Sequence, residues 1–167
     1  NGRAPRRYAG AMQGDAVHPA ADLPADAARR TAVLVLGMHR SGTSVLTRLV
    51  GQLGAALPQD PNYAGSDNPE GYWEPSALVG THDRMLTAID SAWLDIRPPD
   101  LGRLRDGIAE DFVADLRRGL AAAFGDAPCF VLKDPRVCRL VPLYRWLLGE
   151  MGADVRVVLA LRDPAAV

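Results

Sequence analysis

The sequence predicts an α/β fold, in which a parallel sheet is covered by helices on both faces. Three short apolar segments, 32–36, 129–132 and 155–161, have the length and composition of buried strands. Segments with apolar residues at helical spacing separate them, and strands that alternate with helices form parallel sheets. A polar turn that contains glycine follows the first strand, as it does in P-loop proteins. We therefore expect a P-loop-like three-layer fold.

Helices are predicted between and after the strands, at about 43–54, 76–90, 101–124 and 139–151. In the last of these, Pro142 is compatible only with the first turn. The first helix should turn one apolar face inward, formed by Val45, Leu46, Leu49, Val50 and Leu53. A loop rich in Pro, Gly, Asn and Asp occupies 55–75, and Pro98 and Pro99 predict a turn.

Residues 1–30 are rich in Ala, Gly, Pro, Arg and Asp and have no apolar periodicity, so we interpret them as a flexible linker or tail. Residues 31–167 then form the folded domain. The chain has no initiator Met, and it stops at Val167, where a further helix is expected to begin. We therefore expect the domain to be incomplete at its C-terminus, as an internal part of a longer protein.

Composition limits the possible functions. A net charge of −1 offers no bulk electrostatic attraction for nucleic acid, so no nucleic-acid partner is expected. No segment approaches the ~20 apolar residues of a membrane span. The two cysteines, Cys129 and Cys138, have neither a metal-site spacing nor a disulfide pattern. We expect a cytoplasmic protein, and arginine at 18 of the 19 basic positions favours a GC-rich bacterial genome.

The turn after the first strand carries the strongest functional signal. Residues 37–44 read Gly-Met-His-Arg-Ser-Gly-Thr-Ser and match the P-loop spacing, but Thr43 stands where the Walker lysine belongs. A glycine-containing turn at a helix N-terminus directs backbone N–H groups and the helix dipole at one point, which suits phosphate or sulfate. Without the lysine, the loop is poorly suited to ordinary ATP or GTP hydrolysis. The alternative is a tight strand–helix turn without a ligand.

Polar clusters follow all three predicted strands. They are the loop around Arg40, the segment Lys133-Asp134-Pro135-Arg136, and Arg162-Asp163-Pro164. Ligands of open α/β sheets bind at the carboxyl ends of the strands, where these clusters should meet. The balance of charge is cationic, which predicts a polyanionic ligand. For Lys133 and Arg136 the alternative is a surface pair that caps the strand end together with Asp134.

These segments resemble the sulfotransferase family. The loop 37–44 is similar to its 5′-phosphosulfate loop, with Arg40 where cytosolic members carry lysine, and 157–167 is similar to the start of its 3′-phosphate motif. Segments 67–74 and 132–136 resemble parts of bacterial members. The resemblance implies transfer of a sulfuryl group from 3′-phosphoadenosine 5′-phosphosulfate to a hydroxyl or amine, without a metal. The acceptor is then a small molecule, a glycan or a lipid.

The resemblance also implies roles for individual residues. The 5′-phosphosulfate would be held by Arg40, Ser41, Gly42, Thr43 and Ser44. Arg162 would bind the 3′-phosphate, while the second part of that motif would lie beyond Val167. Lys133 is the only lysine of the chain, which suggests that a compact ammonium group acts at this position.

A general base must take the proton of the acceptor, and family analogy places acidic bases in the loop after the first helix. Glu74 is the first choice and Glu70 the second. The alternative for Glu74 is a carboxylate that interacts with the dipole of the following helix. We expect Tyr72 and Trp73 in the core or a pocket wall, His39 packed or in solvent, and His82 on a helix surface.

Two other classes of function remain open. A nucleotide or small-molecule kinase would share the fold but needs a Walker lysine. A non-catalytic module that binds an anion or nucleotide would keep Arg40 and Arg162 but would need no base.

Overall fold

The three predicted strands form one parallel sheet. A computed structural model of the chain describes residues 29–62, 65, 68–104, 107–163 and 165, so the tail predicted over 1–30 lies almost wholly outside the described residues. The strands are β1 (Arg30–Leu36), β2 (Cys129–Lys133) and β3 (Ala153–Leu159), in the order β2-β1-β3. The predicted α/β class with a parallel sheet is confirmed.

The helices lie on both faces of this sheet and make three layers. They are α1 (Thr43–Gln52), α2 (Ser76–Thr87), α3 (Ile108–Phe124) and α4 (Val141–Glu150), with short 3₁₀ segments at Leu101–Arg103 and Pro135–Arg139. The larger core cluster joins α2, α3 and α4 to one face of the sheet. A smaller cluster packs α1 on the other face, against Val35 and Val131. Among the described residues, no helix is long and apolar enough to cross a membrane.

Strand register brings the functional loops to one edge. Val35 of β1 is the partner of Lys133 at the end of β2, and Leu36 is the partner of Leu159 at the end of β3. All three strands run in the same direction, so the segments that follow them emerge side by side. This confirms that the three polar clusters meet at the carboxyl edge.

The helix predicted over 101–124 is interrupted. Its first three residues form a 3₁₀ turn, and α3 starts only at Ile108. Leu104 is extended, with φ −65° and ψ 121°, and Gly107 has a φ of 45°, which is outside helical backbone space. The helix predicted from 139 similarly begins at Val141, because Pro135–Arg139 forms a separate 3₁₀ segment; Pro142 lies in the first turn of α4, as expected.

The predicted inward face of α1 is wrong for three of its five residues. Val45, Leu49 and Leu53 are 62%, 49% and 88% exposed. Thr43 and Thr47 are buried in their place. The hydroxyl of Thr47 donates to the carbonyl of Thr43 at 2.8 Å, so a threonine face can lie against the sheet without an unpaired polar group.

Candidate anion-binding cleft

A cleft of about 460 Å³ lies at the carboxyl edge of the sheet. Its wall contains residues from all three strand ends, among them Arg40, Thr43, Lys133, Arg136 and Arg162. Side chains that are more than a hundred positions apart in sequence therefore face one space. This is the location that open α/β folds use for ligands.

The loop after β1 is shaped by two glycines. Gly37 has a φ of 150°, and a Cβ there would lie 2.8 Å from the carbonyl oxygen of Ala160, so only glycine permits this approach to the segment after β3. Gly42 has a φ of 85° and directly precedes α1. Among the described residues, no side chain caps the N-terminus of α1 by a hydrogen bond. Backbone N–H groups there remain available to an anion.

The residues of this loop do not all face the cleft. Arg40, Gly42, Thr43 and Ser44 line it. Ser41 is absent from that lining among the described residues; its backbone N–H donates to the carbonyl of Met38 at 3.2 Å and closes a turn. Ser41 therefore shapes the loop rather than forming part of the cleft wall.

A hydrogen bond joins Arg162 to Arg40, and both residues line the cleft. Nη1 of Arg162 donates to the backbone carbonyl of Arg40 at 2.9 Å. Arg40 itself adopts a left-handed backbone, with a φ of 66°. Arg40 and Arg162 both line the cleft, so two arginines contribute to this part of its wall.

The cleft wall also contains a buried ion pair. Nζ of Lys133 is 2.5 Å from Oε1 of Glu74 and also donates to the carbonyl of Tyr72 at 3.2 Å. Glu74 is 6% exposed and Lys133 is 4% exposed. Burial raises the pKa of Glu74 above its usual value, and the attraction of Lys133 offsets only part of this rise. The carboxylate therefore holds a proton more readily than one in water.

The loop that carries Glu74 is attached to α1. Nδ2 of Asn68 donates to the carbonyl of Gly71 at 2.7 Å and to Oγ of Ser44 at 3.4 Å. Ser44 Oγ in turn donates to the carbonyl of Tyr72 at 3.4 Å. Ser44 thus connects the loop 37–44, which we call the anion loop, to the segment 68–74 that carries Glu74.

Glu70, the second candidate for the base, does not line the cleft. Its side chain is mostly exposed and pairs with Nη1 of Arg48 at 2.8 Å, outside the lining of the cleft as the described residues define it. The guanidinium of Arg48 also lies 5.6 Å from the ring of Trp73, whose Nε1 donates to the carbonyl of Glu70. Of the two acidic candidates, Glu74 is the one in the cleft wall.

Lys133, Asp134 and Arg136 do not form the surface pair that was the alternative interpretation. Lys133 pairs with Glu74, and Asp134 is fully buried. Asp134 accepts from the backbone N–H of Arg136 at 2.9 Å and so caps the 3₁₀ segment. The guanidinium of Arg136 lines the cleft 5.7 Å from the ring of Trp93, which also contacts His39 edge-on at 5.3 Å.

His82 is not on a helix surface, as the sequence suggested, but fully buried. It bonds Asp134 through Nδ1 at 2.7 Å and the hydroxyl of Tyr144 through Nε2 at 2.6 Å. Its spacing from Leu78 and Leu86 places it on the inward face of α2, a periodicity that could have identified it. Burial alone would raise the pKa of Asp134. The contacts that Asp134 makes with His82 and Arg136 outweigh this effect, so its pKa is lower than usual.

Comparison of the chain with protein families, with curated proteins and with solved structures finds no match. The interpretation of the cleft therefore depends on its own chemistry. Among the described residues, no group of three or more His, Cys, Asp or Glu side chains is arranged to hold a metal ion. What the cleft does contain is an uncapped helix N-terminus, two exposed guanidinium groups and a buried carboxylate–ammonium pair.

Proposed function

We propose that this chain contributes the donor site and the base of a sulfotransferase that uses 3′-phosphoadenosine 5′-phosphosulfate and acts on a hydroxyl or amine acceptor. The observation that carries the proposal is the placement of the anion loop and the buried Glu74 in the walls of one cleft. An anion-binding module would need the loop but not the carboxylate. A kinase would need a lysine at Thr43.

The loop side of the cleft suits the donor. Arg40, the N–H groups at the start of α1 and the hydroxyl of Thr43 would hold the 5′-phosphosulfate, and the hydroxyl of Ser44 would join them on exchanging its bond to the carbonyl of Tyr72 for one to the ligand. Cationic and N–H donors aimed at a transferring group can each contribute on the order of 3 kcal/mol to transition-state stabilisation. Arg162 would bind the 3′-phosphate, since a planar guanidinium matches phosphate in a bidentate manner.

The Glu74 side suits the acceptor. The donor supplies an activated sulfur–oxygen bond, which breaks as the acceptor oxygen or nitrogen bonds to sulfur. Glu74 would take the proton of the acceptor, and its raised pKa makes it a stronger base than an exposed carboxylate. Lys133, 2.5 Å from that carboxylate, would orient it and could contribute positive charge as the leaving phosphate develops its own negative charge.

A competition of nucleotides tests the donor assignment. The affinities of 3′-phosphoadenosine 5′-phosphate, of adenosine 5′-phosphate and of ATP with Mg²⁺ are measured by calorimetry on the same preparation. The proposal expects the 3′-phosphorylated nucleotide to bind tightest. Tighter binding of ATP with Mg²⁺ would favour a kinase and overturn the proposal.

A transfer assay separates an enzyme from a binding module. The full-length protein is incubated with radiolabelled donor and a panel of hydroxyl and amine compounds, and sulfated products are identified by mass spectrometry. Transfer that disappears in Glu74→Gln supports the proposal. Tight nucleotide binding without transfer to any compound of the panel would instead indicate a non-catalytic module.

A further inference from the structure

A chain of buried polar contacts leads from the core to the cleft. Tyr144 of α4 contacts His82 of α2 at 2.6 Å, His82 contacts Asp134 at 2.7 Å, and Asp134 contacts Nη1 of Arg136 at 3.1 Å. The first three side chains are fully buried. Apolar residues of similar size would often be as stable in such a position, so the polar chain calls for a role beyond packing.

The contacts of Tyr144, His82 and Asp134 are consistent with one arrangement of donors and acceptors. The hydroxyl of Tyr144 donates to Nε2 of His82, and the Nδ1–H of His82 then donates to the carboxylate of Asp134. This arrangement gives each ring nitrogen of His82 one partner, Asp134 at Nδ1 and Tyr144 at Nε2. Asp134 contacts His82 through Oδ2 and directs Oδ1 to Arg136.

Arg136 is held from two sides. Asp83 accepts from Nε at 2.6 Å and from Nη2 at 3.0 Å, and Asp134 accepts from Nη1. Among the described residues, these contacts use three of the five N–H donors of the guanidinium, which leaves one on each Nη. Because Arg136 lines the cleft, those two donors are available to a ligand there.

The charge of Arg136 is already balanced. Two carboxylates surround one guanidinium, so this part of the wall adds no positive potential. The ring of Trp93, a residue that is 38% exposed, lies 5.7 Å from the guanidinium carbon of Arg136. Such a wall favours an uncharged hydrogen-bond acceptor over a second anion.

We propose that Asp134, held by His82 and Tyr144, is a positioning residue that fixes the guanidinium of Arg136, and that Arg136 binds an uncharged oxygen of the acceptor. The assignment of the ligand as the acceptor depends on the proposed sulfotransferase function. The positioning of Arg136 does not.

Side-chain NMR of the ligand-free protein tests the positioning. The Nη–H signals of Arg136 are assigned by their loss in Arg136→Lys, and the hydrogen-exchange rate of the Nη1–H that donates to Asp134 is then measured. Asp134→Asn is expected to accelerate this exchange at least tenfold while Asp83 still pairs with Arg136. Tyr144→Phe, which keeps the shape of the core, should accelerate it less, in the same direction. Exchange unchanged in Tyr144→Phe and in any folded Asp134→Asn would overturn the proposal.

Kinetics of the full-length protein test the acceptor contact. Arg136→Lys and Asp134→Asn should each raise the acceptor KM about tenfold, the effect of losing one charge-assisted hydrogen bond, while the affinity for 3′-phosphoadenosine 5′-phosphate changes less than about twofold. An unchanged acceptor KM, or an equal loss for the nucleotide, would contradict the acceptor role. If the wild-type protein transfers no sulfuryl group, the proposed function fails, whereas the NMR result still decides the positioning.

Discussion

Glu74 and Lys133 are 59 positions apart in the sequence and form a buried ion pair with an N···O distance of 2.5 Å in the wall of the cleft. The pair joins the loop before α2 to the end of β2. Removing one partner of such a pair leaves a buried charge, which costs about 3–5 kcal/mol. The pair is thus both a structural connection and the site at which an acceptor proton would be taken.

Arg40→Ala tests the anion loop. We expect donor affinity or the transfer rate to fall on the order of 100-fold, because a cationic contact to the moving group is lost. Nucleotide affinity and turnover measure the effect. Arg48→Ala is the matched control, since Arg48 is an exposed arginine of α1 that pairs with Glu70. A wild-type affinity and rate in Arg40→Ala would remove the donor assignment.

Glu74→Gln tests the base. Turnover should fall by roughly 10² to 10⁴, while the affinity for the donor nucleotide changes little. Glutamine keeps the shape and one hydrogen bond to Lys133, so the melting temperature shows whether the fold persists. Glu70→Gln serves as the control. Normal turnover in Glu74→Gln beside an inactive Glu70→Gln would transfer the role to Glu70.

The pH dependence of turnover should report the environment of Glu74. Because burial raises the pKa of this carboxyl above 4.5, the rate should fall on acidification with a midpoint above that value. Lys133→Met should move the midpoint to higher pH, since the ammonium that favours the ionised form is gone. The measurement is the acidic limb of kcat/KM in both proteins. A midpoint that Lys133→Met leaves in place would exclude Glu74 as the titrating group.

The same shift has a consequence for stability. The folded protein retains the Glu74 proton to a higher pH than the unfolded chain does. Its contribution to the free energy of unfolding is therefore complete below 4.5 and is lost as pH rises through the raised pKa. Chemical denaturation of wild type and Glu74→Gln across that window measures the difference. An identical pH dependence in the two proteins would contradict this assignment.

Arg162→Ala tests recognition of the 3′-phosphate. Affinity for 3′-phosphoadenosine 5′-phosphate should fall roughly 10- to 100-fold, the effect of losing a charge-assisted contact. Adenosine 5′-phosphate should lose less, through the lost hydrogen bond from Arg162 to the carbonyl of Arg40. Calorimetry with both nucleotides makes the comparison. Equal losses would show that Arg162 supports the loop and does not read the 3′-phosphate.

Gly37→Ala tests the shape of the loop. The added Cβ would lie 2.8 Å from the carbonyl oxygen of Ala160, and the φ of 150° is unfavourable for alanine. A loss of about 1–3 kcal/mol in the free energy of unfolding is expected. In Gly149→Ala, where a Cβ of α4 meets nothing within 4 Å, a gain of roughly 0.5–1 kcal/mol is expected instead. Thermal melts compare the stabilities of the two variants. Equal stabilities would contradict the close approach of Gly37 to Ala160.

Much of the fold could be predicted from local signals. The apolar segments that became β1, β2 and β3 stand out against polar turns, and their alternation with helices indicates parallel strands. The interruptions of the predicted helices were harder to predict. Leu104 belongs to the apolar repeat of a helix, yet its backbone is extended, and Gly107, just before α3, has a φ of 45° that is not helical.

The sequence by itself determined which residues end each strand, and therefore that Arg40, Lys133 and Arg162 meet at one edge, because parallel strands share a direction. Only the tertiary structure decided that Glu74 faces Lys133, that Glu70 faces solvent, and that His82 is buried beside Asp134. The two buried pairings, Glu74 with Lys133 and His82 with Asp134, join positions 59 and 52 apart, and they depend on where the tertiary fold places α2 and its preceding loop relative to the end of β2. Local spacing fixes which face of a helix a side chain occupies, but the partner of that face is set by packing.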